Sequence, residues 1–385
     1  MSAAARIVSW HPVLTAHQSH TLQALAQVTG RPLTVMVARA DDATRKAQGW
    51  IRPDTGGLDV RSLEGQHGLG EIRRVLLEHR DAVHLFGSPF DEPRLMLALW
   101  WGLRMGLRVY LISEPYSPDA SGYLHDRARF AARLKSHLRP AVYRLYGRVM
   151  KRRLQGVFAI SPLAASQYRA IGIAPARIHP FGYFVPSTGE SRAPADRSGD
   201  RPGCRAVFVG NLIATKGLKQ LVSAARRLHG DGLALQTDVY GAGDPSAFGF
   251  DGAAIRHAGR IPFGQAQGVI AGYDFLVLPS RYDGWGVVVN EAIQAGVPVV
   301  CSDRVGAGAF VRRWGCGIVY PSESVDGLDH ALRTLATSSA MRAQMAEACL
   351  RARHQLDPAV AARYVADVIA AGGQTEAPVN PWYDA

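Results

Sequence analysis

The chain has 385 residues, of which 47% are apolar and 20% charged, and its formal net charge at pH 7 is +12. This length favours two globular domains, and the composition excludes an intrinsically disordered chain. The positive charge predicts an anionic partner, namely nucleic acid, a phosphate-rich substrate or an anionic membrane surface.

The cysteines and the apolar runs indicate the cellular compartment of the protein and its relation to the membrane. The four cysteines lie in the C-terminal half without the paired spacing of a metal site, which indicates a reducing cytoplasm. The N-terminus lacks the apolar stretch of a signal peptide, and the most apolar run, residues 95–103, is nine residues long. A transmembrane helix needs about twenty apolar residues. We therefore expect a cytoplasmic protein that is soluble or lies on the inner face of a membrane.

Short β-branched segments alternate with helical patterns along the first half of the chain, which is typical of parallel α/β units. The predicted strands are residues 5–10, 32–38, 82–87, 108–113 and 156–161. The helical pattern that follows the first strand ends at Gly30, and another helix is predicted to begin near Pro162.

Residues 186–203 interrupt this alternation. They are rich in Pro, Gly, Ser and charged residues and contain almost nothing to bury, which predicts an interdomain linker. The alternation then resumes with strands at 205–211, 233–241, 274–280 and 297–303. The pattern predicts two doubly wound, Rossmann-like domains that face each other across a cleft. Ligands bind such sheets at the C-terminal ends of the strands.

The stretch PSRYDGWGVVVNEAIQAGVP at 279–298 joins a strand, a Gly-rich loop and a helix predicted to begin at Val287. The N–H groups at a helix start are unpaired and suit a phosphate, and Gly284 and Gly286 allow the backbone to approach a ligand closely. Glu291 lies about one turn into the helix, where its carboxylate can accept hydrogen bonds from vicinal ribose hydroxyls. The alternative is a plain helix with a favourable Asp283 near its start and an incidental Glu291.

A second loop, VGNLIATKGLKQLV at 209–222, places Lys216 at a predicted helix start. A lysine in the first turn opposes the helix dipole, which favours acidic residues there. An anion beside the helix start, such as a diphosphate, would explain this placement. The loop is not a Walker loop, because the G-x-x-x-x-G-K-[ST] pattern is absent.

Four blocks of the C-terminal half, over roughly residues 205–320, resemble the retaining glycosyltransferases of family 4. They are VGNLIATKG, VYGAGD, IRHAGRIP and YDFLVLPSRYDGWGVVVNEAIQAGVPVVCSD. The resemblance implies the two-domain GT-B architecture. It assigns acceptor binding to residues 1–185, which the C-terminal segment 362–385 joins, and nucleotide-sugar binding to residues 204–361.

The resemblance also implies the chemistry. The donor would be a nucleoside-diphosphate sugar, the acceptor a glycan or a lipid-linked glycan, and the configuration of the sugar would be retained. In the family's pattern of two acids eight positions apart, the first contacts the transferred sugar and the second the ribose. Here Asp283 and Glu291 have that spacing. The implied donor-binding residues are Gly210, Asn211, Lys216, Asp283, Gly284, Gly286, Val287 and Glu291. No metal or other cofactor is expected, since no Asp-x-Asp triplet occurs in the sequence.

The sequence departs from the family's pattern at two places. Asn211 stands where an arginine that contacts the diphosphate is usual, so one positive charge is missing. In the N-terminal half, Glu114 occupies the region of the family's histidine. We place Glu114 in the cleft, acting on the acceptor or on the transferred sugar, and count it with Lys216 and Asp283 as catalytic; an acid in a Pro-bounded turn is the alternative. His17 is assigned to the acceptor side, and it clusters with His11 and His20 as surface or cleft residues.

Residues 127–153 contain ten Lys or Arg and no Asp or Glu, interleaved with apolar side chains. Such a basic amphipathic region is typical of a helix that lies on anionic lipid. A solvated basic face is the alternative interpretation. No nucleic-acid-binding motif accompanies the charge, so we do not expect a nucleic-acid partner.

Together, the sequence and the resemblance predict a cytoplasmic, retaining glycosyltransferase that is either soluble or peripheral at the inner face of the membrane, in bacterial surface-polysaccharide or glycoconjugate biosynthesis. Two alternatives remain open. One is a sugar-nucleotide epimerase or hydrolase with the GT-B fold. The other is a non-catalytic protein that binds polyanions or membranes.

Overall fold

The computed structural model describes residues 6–40, 52–65, 68–118, 129–189, 203–372 and 378–384. The first half contains strands β1 Ile7–His11, β2 Thr34–Val37, β3 Asp59–Ser62, β4 Val83–Gly87, β5 Arg108–Ser113, β6 Gly156–Ile160 and β7 Ile178–Phe181. Its helices are α1 Ala16–Thr29, α2 Gly68–Glu78, α3 Pro93–Arg104, α4 Arg129–Met150 and α5 Pro162–Ala170.

The second half repeats the alternation of strands and helices. Its strands are β8 Cys204–Val209, β9 Leu235–Tyr240, β10 Ile255–Gly259, β11 Phe275–Leu278, β12 Val299–Ser302 and β13 Gly317–Tyr320. Its helices are α6 Leu218–Gly230, α7 Ala266–Ile270, α8 Val287–Gln294, α9 Gly308–Trp314, α10 Val325–Thr337, α11 Ser339–Ala352 and α12 Pro358–Ala371.

Each half is built on one parallel sheet, so the predicted pair of doubly wound α/β domains is confirmed. The strand order is β3-β2-β1-β4-β5-β6-β7 in the first sheet and β10-β9-β8-β11-β12-β13 in the second. The order reverses between β1 and β4 and again between β8 and β11. These switch points lie at the C-terminal ends of the strands, where open α/β sheets bind their ligands.

The chain passes between the halves through residues 182–189, and buried amide side chains of the second half bind its carbonyl groups. These bonds run from Asn290 Nδ2 to Tyr183 O at 2.6 Å, from Gln294 Nε2 to Val185 O at 2.6 Å and from Gln267 Nε2 to Pro186 O at 2.8 Å. Most of the predicted linker, residues 190–202, lies outside the described residues.

The end of the chain returns to the first half, where α12 packs against α1. Tyr383 donates a hydrogen bond to the carbonyl of Ala159 and accepts one from the Phe181 N–H at 3.3 Å. Trp382 is completely buried and packs against Phe181. These contacts cover β7, the outer strand of the first sheet. Residues 373–377 and 385 of the predicted C-terminal segment 362–385 lie outside the described part of the chain.

Candidate functional site

The loop between β11 and α8 follows the course expected from the sequence, with α8 beginning at Val287. Gly286 caps the helix with a φ of +87°, and a Cβ on it would lie 2.8 Å from Val305 Cγ1, so only glycine fits there. The Asp283 N–H donates to Arg304 O at 3.0 Å. The loop is therefore held against the chain that follows β12, and the start of α8 remains at the C-terminal edge of the sheet.

Lys216 and Asp283 form an ion pair that joins the two loops predicted to hold the donor. Lys216 Nζ donates to Asp283 Oδ2 at 2.5 Å, and the two side chains are 21% and 15% exposed. Lys216 lies in a 3-10 turn just before α6 rather than inside the helix. Gly217 follows with a φ of +71°, and a Cβ on it would lie 2.0 Å from Pro279 O. This close approach brings the lysine loop against the end of β11.

Glu291 is half-buried on α8, one turn beyond Val287. Its carboxyl group forms no hydrogen bond or ion pair with any residue that the structure describes. Burial raises its pKa to about 7. A half-buried carboxyl group with no partner among the described residues is suited to accept hydrogen bonds from the hydroxyls of a ligand.

Gly210 and Asn211 follow β8 at the same edge of the sheet. A Cβ on Gly241 would lie 1.8 Å from Gly210 O, so the loops after β8 and β9 touch through their backbones. The Arg281 N–H donates to Thr215 O at 2.8 Å, next to Lys216. Arg281 also pairs with Glu323 at 3.1 Å and keeps a third of its side chain exposed. Arg281 is therefore a candidate to supply the positive charge that is missing because Asn211 stands where an arginine is usual.

The first half contributes Glu114, which lies directly against the Gly-rich loop. A Cβ on Gly284 would come within 2.9 Å of Glu114 Oε2. Tyr183 donates from its hydroxyl to Glu114 Oε1 at 2.5 Å, and its ring lies 4.0 Å from that of His17. His17 Nε2 is 2.9 Å from Thr15 Oγ1. The structure thus brings Glu114 and His17 together through Tyr183. Tyr183 was not predicted as a site residue, because it belongs to no recognisable local motif.

His11 does not belong to this cluster, so its placement at the surface or in the cleft is wrong. It is 1% exposed in the core of the first sheet, and Ser9 Oγ lies 2.7 Å from its Nε2. Burial lowers its pKa to about 4, so the ring is neutral at pH 7. Residue 11 is the last residue of β1, whereas His17 lies in the first turn of α1. Among the described residues, no group of three or more His, Cys, Asp or Glu side chains is placed to bind a metal ion.

The predicted site residues therefore converge from both halves of the chain. The second half supplies a helix start, the Lys216–Asp283 pair and the unpartnered carboxyl of Glu291. The first half supplies Glu114, held by Tyr183. A cation and a helix start suit a diphosphate, and a carboxyl group without a partner suits vicinal hydroxyls.

Comparison with known proteins agrees with this arrangement. Residues 203–338 match the family model described as "Glycosyl transferases group 1". The chain is 28% identical over 149 residues to a glycogen synthase of Mycobacterium tuberculosis, covering 37% of this chain and 36% of the relative. It is 27% identical over 213 residues to the alpha-D-kanosaminyltransferase of Streptomyces kanamyceticus, covering 51% of this chain and 55% of that one. The chain thus spans about a third to about half of the length of these curated relatives.

The fold has close counterparts among solved structures. The Anabaena protein HepE in complex with UDP superimposes with a TM-score of 0.70 at 14% identity, covering 95% of this chain and 100% of that one. At this identity the likeness concerns the fold alone. The two-domain architecture expected from the sequence, GT-B, is confirmed.

Proposed function

We propose that the chain is a glycosyltransferase that moves a sugar from a nucleoside-diphosphate sugar to a glycan or lipid-linked acceptor, with retention of configuration. The observation that carries this proposal is the unpartnered carboxyl of Glu291. It lies on the helix whose start adjoins the Lys216–Asp283 pair. A nucleotide needs both features at once, because its ribose presents vicinal hydroxyls and its diphosphate presents negative charge.

The task of the protein in this reaction is electrostatic. The bond between C1 of the sugar and the diphosphate breaks, and an acceptor oxygen bonds to C1 on the same face. The acceptor proton passes to the departing diphosphate oxygen. Lys216 and the start of α8 stabilise the negative charge that develops on the diphosphate. Glu114 packs against Gly284, and Asp283 directly precedes it, so both can hold the hydroxyls of the transferred sugar. This scheme requires no metal.

The proposal is tested by thermal shift with UDP-, GDP- and dTDP-sugars. One class of nucleotide sugar should stabilise the wild type, since a ligand that binds only the folded state raises its stability. Glu291→Gln should lose most of that shift. NMR of the donor without any acceptor then separates the alternatives, because an epimerase or hydrolase converts the donor alone. Absence of stabilisation by any sugar nucleotide would refute the proposal and favour the non-catalytic alternative.

The exposed surface of helix α4 indicates which kind of acceptor the protein uses. Its exposed large apolar side chains are Leu134, Leu138, Val142, Leu145 and Val149, each between 41% and 57% exposed. At 100° per residue these positions fall within about 80° of one another, so they form one stripe. The opposite face is anchored, since Tyr143 and Met150 are 4% and 3% exposed. We call this stripe, together with the basic residues beside it, the α4 face.

The charge of the α4 face completes the argument. Arg144, Arg148 and residues 151–153 are exposed and form no ion pair with a described residue. Apolar side chains flanked by cations match a bilayer with anionic headgroups. No helix in the described part of the chain is both long and apolar enough to cross a membrane. We therefore propose that the protein lies on the cytoplasmic face of a membrane and uses a lipid-linked acceptor, as in the assembly of surface polysaccharides.

A further inference from the structure

A second cavity lies between the two halves, beside the candidate donor site, with a volume of about 220 Å³. The first half lines it with Pro115 and the start of α5, and the second half with the chain after β12 and with α9. The backbone of Gly306 forms part of its wall, because a Cβ there would lie 2.8 Å from Ser161 Cβ and 2.2 Å from Gly284 O. The cavity borders Asp283, so its occupant would lie next to the transferred sugar.

Two arginine side chains line this cavity, and neither has an acidic partner. The guanidinium groups of Arg304 and Arg312 form no ion pair or side-chain hydrogen bond with a described residue. Two carboxylates also line the cavity, and neither forms an ion pair with Arg304 or Arg312. Asp283 is paired with Lys216 at 2.5 Å, and Asp303 Oδ1 accepts a hydrogen bond from the Ser322 N–H at 2.8 Å. The cavity therefore presents two cationic groups that are available to an anion.

Ser161 gives an independent indication of a ligand. It lines the cavity, is 1% exposed, and its buried Oγ has no hydrogen-bond partner among the described residues. Buried hydroxyl groups are normally hydrogen-bonded, so an unpaired one requires an explanation. Ser161 also precedes α5, with Pro162 at the first helical position. The N–H of Leu163, which lines the cavity, belongs to the first turn, where a helix leaves its N–H groups unpaired.

We propose that this cavity binds a phosphoryl group of the acceptor substrate. Two guanidinium groups, a hydroxyl and a helix start offer more donors than the two oxygens of a carboxylate accept well, whereas a phosphoryl group has three or four oxygens. Assigning the group to the acceptor rests on the proposed function, since the cavity touches Asp283 and Pro115, the neighbour of Glu114. The phosphoryl group is carried either by a lipid or by a water-soluble ester, and the chemistry of recognition is the same.

The test is calorimetric titration of the protein saturated with the nucleoside diphosphate whose sugar nucleotide stabilises it in the thermal-shift test. The probes are inorganic phosphate, glycerol 3-phosphate and phosphatidic acid in detergent micelles. Wild type should bind at least one of them, and Arg304→Gln and Arg312→Gln should each weaken that binding about tenfold or more, the usual loss for a charged hydrogen bond. Arg313→Gln is the matched control on the same helix, because its guanidinium pairs with Asp384 at 2.7 Å instead. It should bind like wild type.

Ser161→Gly separates loss of binding from loss of folding. Ser161 has a φ of +88°, which glycine adopts without strain. The variant should therefore melt at a higher temperature without ligand and yet bind the probe more weakly. Binding of the soluble esters assigns the group to a soluble acceptor, and binding of phosphatidic acid alone assigns it to a lipid, provided that Arg312→Gln abolishes it.

Two outcomes would overturn the proposal. One is that no probe binds; the other is that binding survives in Arg304→Gln and Arg312→Gln but disappears in Lys216→Ala, which would place the anion in the donor site. Failure of the proposed function has a different signature. In that case no sugar nucleotide would bind, while phosphate binding that depends on the two arginines would still be measurable without any nucleotide.

Discussion

The half-buried carboxyl group of Glu291, which has no partner among the described residues, resists ionisation until a ligand donates hydrogen bonds to it. Its pKa of about 7 lies above the ordinary value for glutamate, so the folded protein binds this proton more tightly than the unfolded chain does. Stability is therefore lost as the pH rises from about 4.5 to about 7. In the proposed function, the same ionisation prepares the carboxylate to accept hydrogen bonds from the ribose hydroxyls.

Glu291→Gln should stabilise the unliganded protein and weaken donor binding. The amide keeps the shape of the side chain but removes the ionisation, so above pH 7 the variant should gain up to about 3 kcal/mol of unfolding free energy. Urea denaturation at pH 5 and pH 8 measures this gain, which should be small at pH 5. Donor affinity, measured with a nucleotide sugar whose phosphates do not titrate, should rise from pH 6 to pH 8 in wild type only. Identical pH profiles for the two proteins would contradict the assignment.

Lys216→Ala should lower turnover more than it raises the Michaelis constant for the donor. Negative charge on the diphosphate grows as the bond to the sugar breaks, so a cation there acts more strongly on the transition state. The loss of a charged hydrogen bond of about 1.5–3 kcal/mol corresponds to a decrease in kcat of roughly ten- to a hundredfold. Lys219→Ala, on the exposed side of α6, is the control and should retain activity. A change in the Michaelis constant alone would make Lys216 a plain binding residue.

Glu114→Gln tests the first half of the site. Its carboxylate lies against Gly284 and accepts a hydrogen bond from Tyr183. In the proposed reaction we assign it to the transferred sugar or the acceptor rather than to the nucleotide. We expect kcat to fall tenfold or more while the affinity for the nucleoside diphosphate stays within about twofold. Glu78→Gln, on the exposed end of α2, is the control. Normal turnover in Glu114→Gln would leave Glu114 as an acid in a Pro-bounded turn.

At the scale of elements, the central strands of both sheets were predictable from the sequence and the edge strands were not. The four missed strands, β3, β7, β10 and β13, are the outer strands of the two sheets. A central strand is buried on both faces and reads as a continuous apolar run, whereas an edge strand such as β3 is mostly exposed and lacks that signal. Strand β7 is buried, but it contains Pro180, which argues against a strand except at an edge.

The residues of the candidate site also fall into a group that was predictable from the sequence and a group that was not. Asp283, Glu291 and Lys216 lie in local motifs. A glycine loop and a helix start within about ten positions are enough to predict that these residues bind a ligand. Tyr183 and Ser161 are placed at the site only by contacts with residues that are distant in the sequence. Tyr183 bonds to Glu114, 69 positions away, and Ser161 meets Gly306 across the interface. No periodicity in a single sequence encodes such contacts, so these residues required the structure.

Gln294→Leu tests the amides that hold the crossing segment. Gln294 is 1% exposed, donates to Val185 O at 2.6 Å and accepts from Gln267 Nε2 at 2.9 Å. Leucine leaves a buried carbonyl and part of a buried amide unpaired, which should cost about 1–3 kcal/mol of stability for each group. Because the bond fixes the segment that connects the halves, thermal unfolding should also broaden or divide into two transitions. Gln344→Leu, on the exposed face of α11, should change neither property. A stable Gln294→Leu with a single sharp transition would show that packing alone fixes the segment.

At the scale of the whole molecule, the positive charge is concentrated rather than spread. Residues 127–153 carry ten basic and no acidic side chains, against a net charge of +12 for the entire chain. The rest of the protein is therefore close to neutral, and an anionic partner should meet the α4 face. The attraction of exposed charges fades as salt shortens the Debye length, while the apolar stripe should keep a contribution at high salt.

Sedimentation with vesicles separates these two contributions. Wild type should bind vesicles that contain anionic lipid, bind neutral vesicles weakly, and release partly at high salt. Changing Arg148, Lys151, Arg152 and Arg153 to Ser removes four cations, each worth about 1 kcal/mol near an anionic surface, so binding at low salt should weaken a hundredfold or more. Leu138→Ser/Leu145→Ser should remove the binding that survives high salt. Its control is Leu69→Ser/Leu77→Ser, because these leucines are equally exposed, at 56% and 51%, but belong to α2, whose two arginines are balanced by two glutamates. If the two leucine pairs behaved alike, or if anionic lipid made no difference, residues 127–153 would be a solvated basic face.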